Sequence, residues 1–225
     1  MNRKTLRAIA LSALLLLGGT ASALAGTAAQ DIQKRYDTVT TLKAAFTQKL
    51  LHRESGSTET RNGTLLFRKP LLVRWETGGK NPEVLVISSQ DIWNFLPDEE
   101  LAYRYPLDLV QDSKSIIKVI TGQAKLDQDF NVVEEGQEEG LTRLHLYPKE
   151  PVQQLTEAIL WVDPQEHLIR RVRVYDFYGN ENEIDFTSLE ANATVADKAF
   201  TFTPPKGTEV QDRLKEGAPE KQLFN

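Results

Sequence analysis

Between Thr64 and Leu189 apolar and polar residues alternate in short runs, the period-two pattern of half-buried strands. The pattern predicts strands at Thr64–Phe67, Leu72–Glu76, Val84–Ser88, Ile92–Leu96 and Leu101–Tyr105, then at Phe130–Glu134, Leu141–Tyr147, Gln154–Val162, Leu168–Phe177 and Glu183–Leu189. Turn residues separate most of them, at Arg61-Asn62-Gly63, Thr77-Gly78-Gly79, Pro97-Asp98, Gly136 to Gly140, Asp163-Pro164 and Gly179-Asn180. Connections this short imply antiparallel neighbours, because a parallel pair needs a long crossover. The expected architecture is one large, strongly curved antiparallel sheet.

Three stretches depart from that rhythm. Thr27 to Thr38 has helical spacing at Ile32, Arg35 and Tyr36, with Asp31 early in the segment. Leu42 to Leu51 fits either period: Leu42, Ala44, Phe46 and Leu50 alternate, while Leu42, Ala45, Phe46 and Lys49 suit a helix. Leu107 to Gly122 reads as a short helix, with Ser113 to cap its start, Gly122 its end, and Ile116, Ile117, Val119 and Ile120 on one face. Its Ile, Val and Thr content is poor for a helix, so packing against the rest of the protein must hold it. Such a segment is either a weakly held lid, an ordinary connecting helix or a further strand.

The faces of the strands carry more information. Val172 and Val174 should share a face with Ile184 and Phe186, so paired numbers must sum to an even value. A three-residue loop Tyr178-Gly179-Asn180 meets that condition, setting Val174 opposite Ile184 and Arg173 opposite Asp185, with Asn180 left-handed. Val84 to Ile87 and Ile92 to Leu96 are apolar on both faces, so something must cover the second face. With only two short helices available, the sheet either fills its own interior or curls around an apolar cavity.

Composition then sets the address. Met1 to Gly26 has a basic start at Arg3, Lys4 and Arg7, an apolar run from Ala8 to Leu17 and the small-residue exit Ala23-Leu24-Ala25. It reads as a secretory signal over residues 1–25, because the apolar run is well short of the ~20 residues that span a bilayer. The remainder divides into a single domain over 26–210 and a polar tail over 211–225 expected to be mobile. The chain has 225 residues, 40% of them hydrophobic, enough for one real core. Loss of the three leader cations leaves 24 basic residues against 32 acidic ones, a balance that speaks against nucleic acid and anionic membrane surfaces. Without any cysteine, a lipid anchor at the end of the signal is excluded.

Catalytic patterns are missing from the sequence. His52, His145 and His167 lie on separate segments with no paired spacing, so no metal is expected. There is no G-x-S-x-G, phosphate loop or nucleotide fingerprint, so neither an enzyme nor a cofactor is expected. The acidic clusters Asp98-Glu99-Glu100, Glu134-Glu135 and Glu138-Glu139 sit at turns, where water denies a carboxylate the desolvation that tunes its pKa.

Four pieces in order, Phe46-Thr47-Gln48, then Gly63-x-Leu65 through Pro70 to Trp75, then Ile92-Trp93-x-Phe95-x-Pro97, then Gly179-Asn180 through Phe200-Thr-Phe-Thr-Pro-Pro-Lys-Gly207, resemble the periplasmic outer-membrane lipoprotein carrier family, LolA. The resemblance implies a mainly β (α+β) fold, a strongly curved, incomplete antiparallel β-barrel with helices covering its concave apolar face, and makes Leu42–Leu51 a strand. It also implies acylated lipoproteins as cargo, an inner-membrane lipoprotein-releasing ABC transporter as donor, an outer-membrane lipoprotein receptor as acceptor, a monomer, and the periplasm. A lipid- or lipoprotein-sensing regulatory module on the same fold is the alternative. For the acyl cavity the candidates are Phe46, Val73, Trp75, Leu85, Ile87, Trp93 and Phe95, with Ile116, Ile117 and Ile120 from the lid. In the family an arginine before the corresponding proline latches the lid; here Lys69 precedes Pro70 and Arg68 precedes Lys69, so Lys69 is the first candidate latch and Arg68 the second.

Overall fold

The alternating segments form twelve strands of one sheet in the computed structural model, which describes residues 28–111 and 116–214. The expected signal over residues 1–25, Ser113 and the expected tail beyond residue 214 lie outside the described residues. The first half of the sheet is built from β1 (Thr41–Leu51), β2 (Thr58–Arg68), β3 (Leu72–Thr77), β4 (Glu83–Ile87), β5 (Ile92–Leu96) and β6 (Leu101–Tyr105). The second half is β7 (Phe130–Glu138), β8 (Leu141–Pro148), β9 (Glu157–Val162), β10 (Ile169–Tyr175), β11 (Glu181–Ala191) and β12 (Glu209–Asp212). Their order is β12-β6-β5-β4-β3-β2-β1-β11-β10-β9-β8-β7, and edge strands β12 and β7 do not pair with each other. The curved sheet therefore stays open, an incomplete barrel, and it is antiparallel except where β12 runs parallel to β6.

Helices lie on the inner face. The first, α1 (Ala28–Thr38), buries Ala29, Ile32 and Tyr36, residues spaced three and four apart. Inside the Leu107–Gly122 stretch are α2 (Asp108–Gln111) and α3 (Ile116–Ile120), and a further short helix, α4 (Leu126–Asp129), has no counterpart among the expected segments. The α3 helix ends as its glycine predicts: Gln123 N–H donates to the Lys118 carbonyl at 2.7 Å and Gly122 takes φ +70°. Any Cβ at Gly122 would overlap the Tyr36 side chain of α1, so glycine here also lets the two helices meet.

Several expectations move. Arg61-Asn62-Gly63 is not a turn but the middle of β2; the reversal comes earlier, where Gly56 has φ +66° and His52 N–H donates to the Ser57 carbonyl at 2.9 Å. Gly63 is needed for a close approach instead, because a Cβ there would overlap the Phe46 ring and the Glu76 carbonyl oxygen. Likewise β7 runs through Glu138, with Gly136 at a register shift inside it rather than in a turn. The β10–β11 register keeps its even sum but slips by two residues: Val172 faces Ile184, Arg173 faces Glu183 and Arg171 faces Asp185. The reason is a five-residue loop, 176–180, in which the Asp176 carboxylate accepts from the N–H groups of Tyr178 and Asn180, and Gly179, not Asn180, is left-handed. Finally, Gln211 and Asp212 belong to β12 rather than to the tail. This exposed strand is held by backbone bonds, Glu209 N–H to the Glu100 carbonyl and Arg213 N–H to the Arg104 carbonyl, both 2.8 Å, and so has no side-chain pattern to read.

The outer face solves the problem of strands apolar on both sides. The chain after β11 returns across it, burying Phe200 and setting the Phe202 ring 5.6 Å from Trp93 and 5.5 Å from Phe95. Two arginines tie this strap to the sheet. Arg68 bonds the Val195 carbonyl and Asp197 and lies 5.2 Å over the Phe200 ring, while Arg74 donates to the carbonyls of Ala199 and Thr201. At the other end of the sheet, Trp161 is buried on the outer face beneath Arg143, Arg171 and Arg173, and its N–H donates to Glu138.

The contact at Gly63 gives a direct test of this packing. Gly63→Ala is expected to lower stability by about 2 kcal/mol in urea unfolding. A loss below about 0.5 kcal/mol would show that the Phe46 ring yields and that the approach is not a constraint.

Candidate functional site

On the inner face the strands place their apolar residues in one band. Phe46 and Ala44 of β1 lie beside Leu65 and Phe67 of β2, these beside Trp75 and Val73 of β3, and these beside Leu85 and Ile87 of β4. All are at most 4% exposed. The Phe46 and Trp75 rings are in contact, with centroids 4.1 Å apart. Ile116, Ile117, Val119 and Ile120 of α3 are buried in the same cluster, Ile117 completely.

Seven of the ten candidate cavity residues, Phe46, Val73, Trp75, Leu85, Ile87, Ile117 and Ile120, thus come together with exposures of 4% or less, and Ile116 joins them at 8%. Trp93 and Phe95 do not. They share a face with Val86 and Val84, opposite to Leu85 and Ile87, and lie under the Phe202 strap. The cause is the length of one turn. Ile87 pairs directly with Ile92, so the loop between them has four residues, 88–91, and an even loop reverses the parity of the inward positions. Ser88 fixes that loop by accepting from the N–H groups of Gln90 and Asp91 while its hydroxyl donates to Asp91. From β5 the inner face receives Ile92 and Asn94 instead.

The two candidate latches part company. Lys69 donates from Nζ to the carbonyl oxygens of Tyr36 at 2.8 Å and Asp37 at 3.0 Å, the last turn of α1, where free carbonyls and the negative end of the helix dipole favour a cation. Arg68 points outward to the strap. The hydrogen bonds that Lys69 makes go to α1, so the helix that Lys69 holds is α1.

Beyond the apolar band, two residues further along the strands toward the loops at 52–57, 77–82 and 97–100, the inner face turns polar. Gln48 follows Phe46, Arg61 precedes Gly63, Thr77 follows Trp75, Glu83 precedes Leu85 and Asn94 follows Ile92. Gln48 donates to the Asn182 side chain at 3.0 Å, Asn94 donates to Glu83 at 2.8 Å, and Arg61 lies between Glu59 at 2.9 Å and Glu83 at 3.8 Å. The Arg61 guanidinium holds the Glu59 carboxyl below its usual range. Three buried oxygens in this band, Gln48 Oε1, Thr77 Oγ1 and Asn94 Oδ1, have no hydrogen-bond partner among the described residues. Each such group costs about 1–3 kcal/mol when left unmet. The signal was available in the sequence as polar residues of inward parity, Phe46-x-Gln48, Trp75-x-Thr77 and Ile92-x-Asn94. Reading it required the parity reversal at β5.

At the opposite end α1 meets the sheet beside a cavity of about 430 Å³ lined by Ala28, Ala29, Phe130, Val132, Leu144 and Lys149 among others. Tyr36 anchors the helix on this side. Its ring is buried, and its hydroxyl oxygen accepts the Ile169 N–H at 3.2 Å.

Comparison with known proteins agrees with this architecture. A sequence model of the family described as "Outer membrane lipoprotein carrier protein LolA" matches residues 37–203. The chain is 28% identical over 210 residues to the outer-membrane lipoprotein carrier protein of Pseudomonas putida (strain GB-1), covering 92% of this chain and 98% of that protein. It is 25% identical over 171 residues to the outer-membrane lipoprotein carrier protein of Dechloromonas aromatica (strain RCB), covering 76% and 80%. Among solved structures, an uncharacterized conserved protein from Thermus thermophilus superposes with a TM-score of 0.54 at 16% identity, covering 82% of this chain and 99% of that one, a likeness of fold alone.

Tyr36 makes the anchoring of α1 measurable. Burial pushes its hydroxyl up to about 12 from 10.0, outweighing the Ile169 N–H and the nearby Arg170 and Arg35 charges, which act the other way. Below pH 10 both states are protonated and the stability is intact; above it the unfolded chain releases its proton first, so stability falls until pH 12. At about 1.4 kcal/mol per pH unit the loss over that range is about 3 kcal/mol. Unfolding at pH 9 to 12 should show this slope in the wild type and not in Tyr36→Phe. Equal slopes would place the alkaline sensitivity elsewhere.

Proposed function

We propose that this chain, which belongs to the outer membrane lipoprotein carrier protein LolA family, is a periplasmic carrier that shelters the acyl chains of lipoproteins against its inner face. It takes them from an inner-membrane ABC exporter and delivers them to an outer-membrane receptor. The supporting observation is the cover of that face: α3, five residues long, contributes Ile116, Ile117, Val119 and Ile120 to the buried cluster. A helix this short has no stability of its own and depends on that burial to stay in place.

Acyl chains offer the sheet the same apolar surface that α3 offers it. Water rejects them at ~0.8 kcal/mol per CH₂, so a lipoprotein cannot cross an aqueous space unescorted. When chains enter, Phe46, Val73, Trp75, Leu85 and Ile87 exchange isoleucine contacts for methylene contacts, and the displaced cover swings aside. Exchange of like for like keeps the net affinity moderate, which release to a recipient requires. Lys69 acts on the other half of the cover by pinning the end of α1. The reaction is binding and transfer, with no covalent step.

The test is release from membranes. Spheroplasts carrying a labelled lipoprotein are incubated with the purified protein, and the supernatant is examined for a one-to-one complex. The wild type should bring the lipoprotein into solution, and Ile117→Glu should reduce the yield at least ten-fold while keeping a cooperative unfolding transition. A lipoprotein that stays in the membrane while free fatty acid or lysolipid appears would falsify the carrier reading and point to a hydrolase.

A further inference from the structure

The polar band beside the acyl-binding face has an arrangement that packing alone does not account for. We propose that Gln48, Thr77 and Asn94 form a subsite for the N-terminal peptide backbone of the acylated cargo, accepting its amide N–H groups. The inference rests on the carrier reading and adds the part of the ligand that the apolar face cannot recognise.

Three observations carry it. Gln48, Thr77 and Asn94 are 2%, 5% and 2% exposed, and each keeps an oxygen without a partner. For the two amides the free atom is the oxygen: Gln48 spends its amide N–H on Asn182 and Asn94 spends its own on Glu83, and the carbonyl end of each is what remains without a partner. The charges nearby are already matched, since Arg61 sits between Glu59 and Glu83. What the two amides still lack is therefore a hydrogen-bond donor, not an ion, and the Thr77 hydroxyl lacks a partner that it can meet by accepting as they do.

Position supplies the rest of the argument. Gln48 is two residues beyond Phe46 and Thr77 two beyond Trp75, so donors must arrive about 7 Å from groups buried in the apolar band. The three side chains stand on alternate strands β1, β3 and β5, roughly 19 Å across the sheet at ~4.8 Å per strand, and the register steps each by two residues along the strands, ~13 Å in all, so the outer two are about 23 Å apart measured over the sheet. An extended peptide of about seven residues, a cysteine and six more, has that length. A ligand must then be apolar at one end and rich in N–H groups at the other. A diacyl phosphatidylcholine has no N–H or O–H donor and a fatty acid anion has none either, whereas an N-acylated lipopeptide presents one N–H per residue directly after its acyl chains.

The experiment compares two probes on the intact mature protein: a synthetic N-acyl-S-diacylglyceryl-cysteinyl hexapeptide and dioleoyl phosphatidylcholine, each with a fluorescent acyl reporter. Gln48→Leu, Thr77→Val and Asn94→Leu should each weaken the lipopeptide about five- to ten-fold, the worth of one hydrogen bond, and leave phosphatidylcholine unchanged. A measurement on the wild type guards against variants that fold poorly. N-methylation of the lipopeptide's backbone amides should cost the wild type about ten-fold or more and cost the triple variant little. Equal losses for both probes, or no loss on N-methylation, overturn the subsite while the carrier reading survives. If the wild type binds neither probe, both fall.

Discussion

An open sheet of twelve strands has an inner face that cannot be closed by more sheet, and this constraint shapes the rest of the molecule. The inner face carries aromatic and branched side chains on nearly every strand, and edge strands β7 and β12 never meet. Burial of that surface at roughly 25 cal/mol per Å² is the main force for folding, yet it has to be achieved by whatever the chain can lay inside. The chain lays in α1, eleven residues, and helices of four, five and four. None of the three short ones can form alone, so cover and covered surface stabilise each other.

The two faces of the sheet solve the same problem with different bonds. Outside, the strap after β11 is tied by the Arg68 and Arg74 guanidinium groups to backbone carbonyls and buries Phe200 against the sheet. Directional, charge-assisted bonds fix one geometry and resist replacement. Inside, α3 is held by isoleucine contacts, which are non-directional and which any flexible apolar chain can reproduce. Hence the outer cover is held by directional bonds, while the four apolar side chains of α3 add contacts that have no direction. Gly122 and Tyr36 show where exchange stops, because there the helices interlock at a position without a side chain and a hydroxyl ties α1 to β10.

Much of this was legible in the sequence, and what was not has physical reasons. Period-two alternation gave ten of the twelve strands, and the family resemblance added β1, whose apolar positions fit two periods. Strand β12 was invisible because backbone bonds make it and its side chains face water. Trp93 and Phe95 were placed on the wrong side because loop parity decides which residues face inward, and Ser88 and Asp91 build a four-residue turn that no hydrophobicity count reveals. The strap explains the apparent excess of apolar residues on β4 and β5. Its Phe202 ring meets Trp93 and Phe95 across a distance of more than a hundred residues in sequence, which no local pattern encodes.

The same parity that misplaced two aromatic residues exposes the logic of the inner face. Once Ile92 and Asn94 replace Trp93 and Phe95 there, a polar band runs beside the apolar one across β1, β2, β3, β4 and β5. Had the interior only to be filled, Leu and Val at positions 48, 77 and 94 would fill it without unmet oxygens. A sequence that keeps those oxygens gives up folding stability at positions where an apolar side chain was available. Stability given up beside a face covered by short helices is, on the carrier reading proposed above, stability traded for binding. On the proposed subsite, the boundary between the two bands, at Phe46 and Trp75, is where the ligand's apolar part would end and its polar part begin.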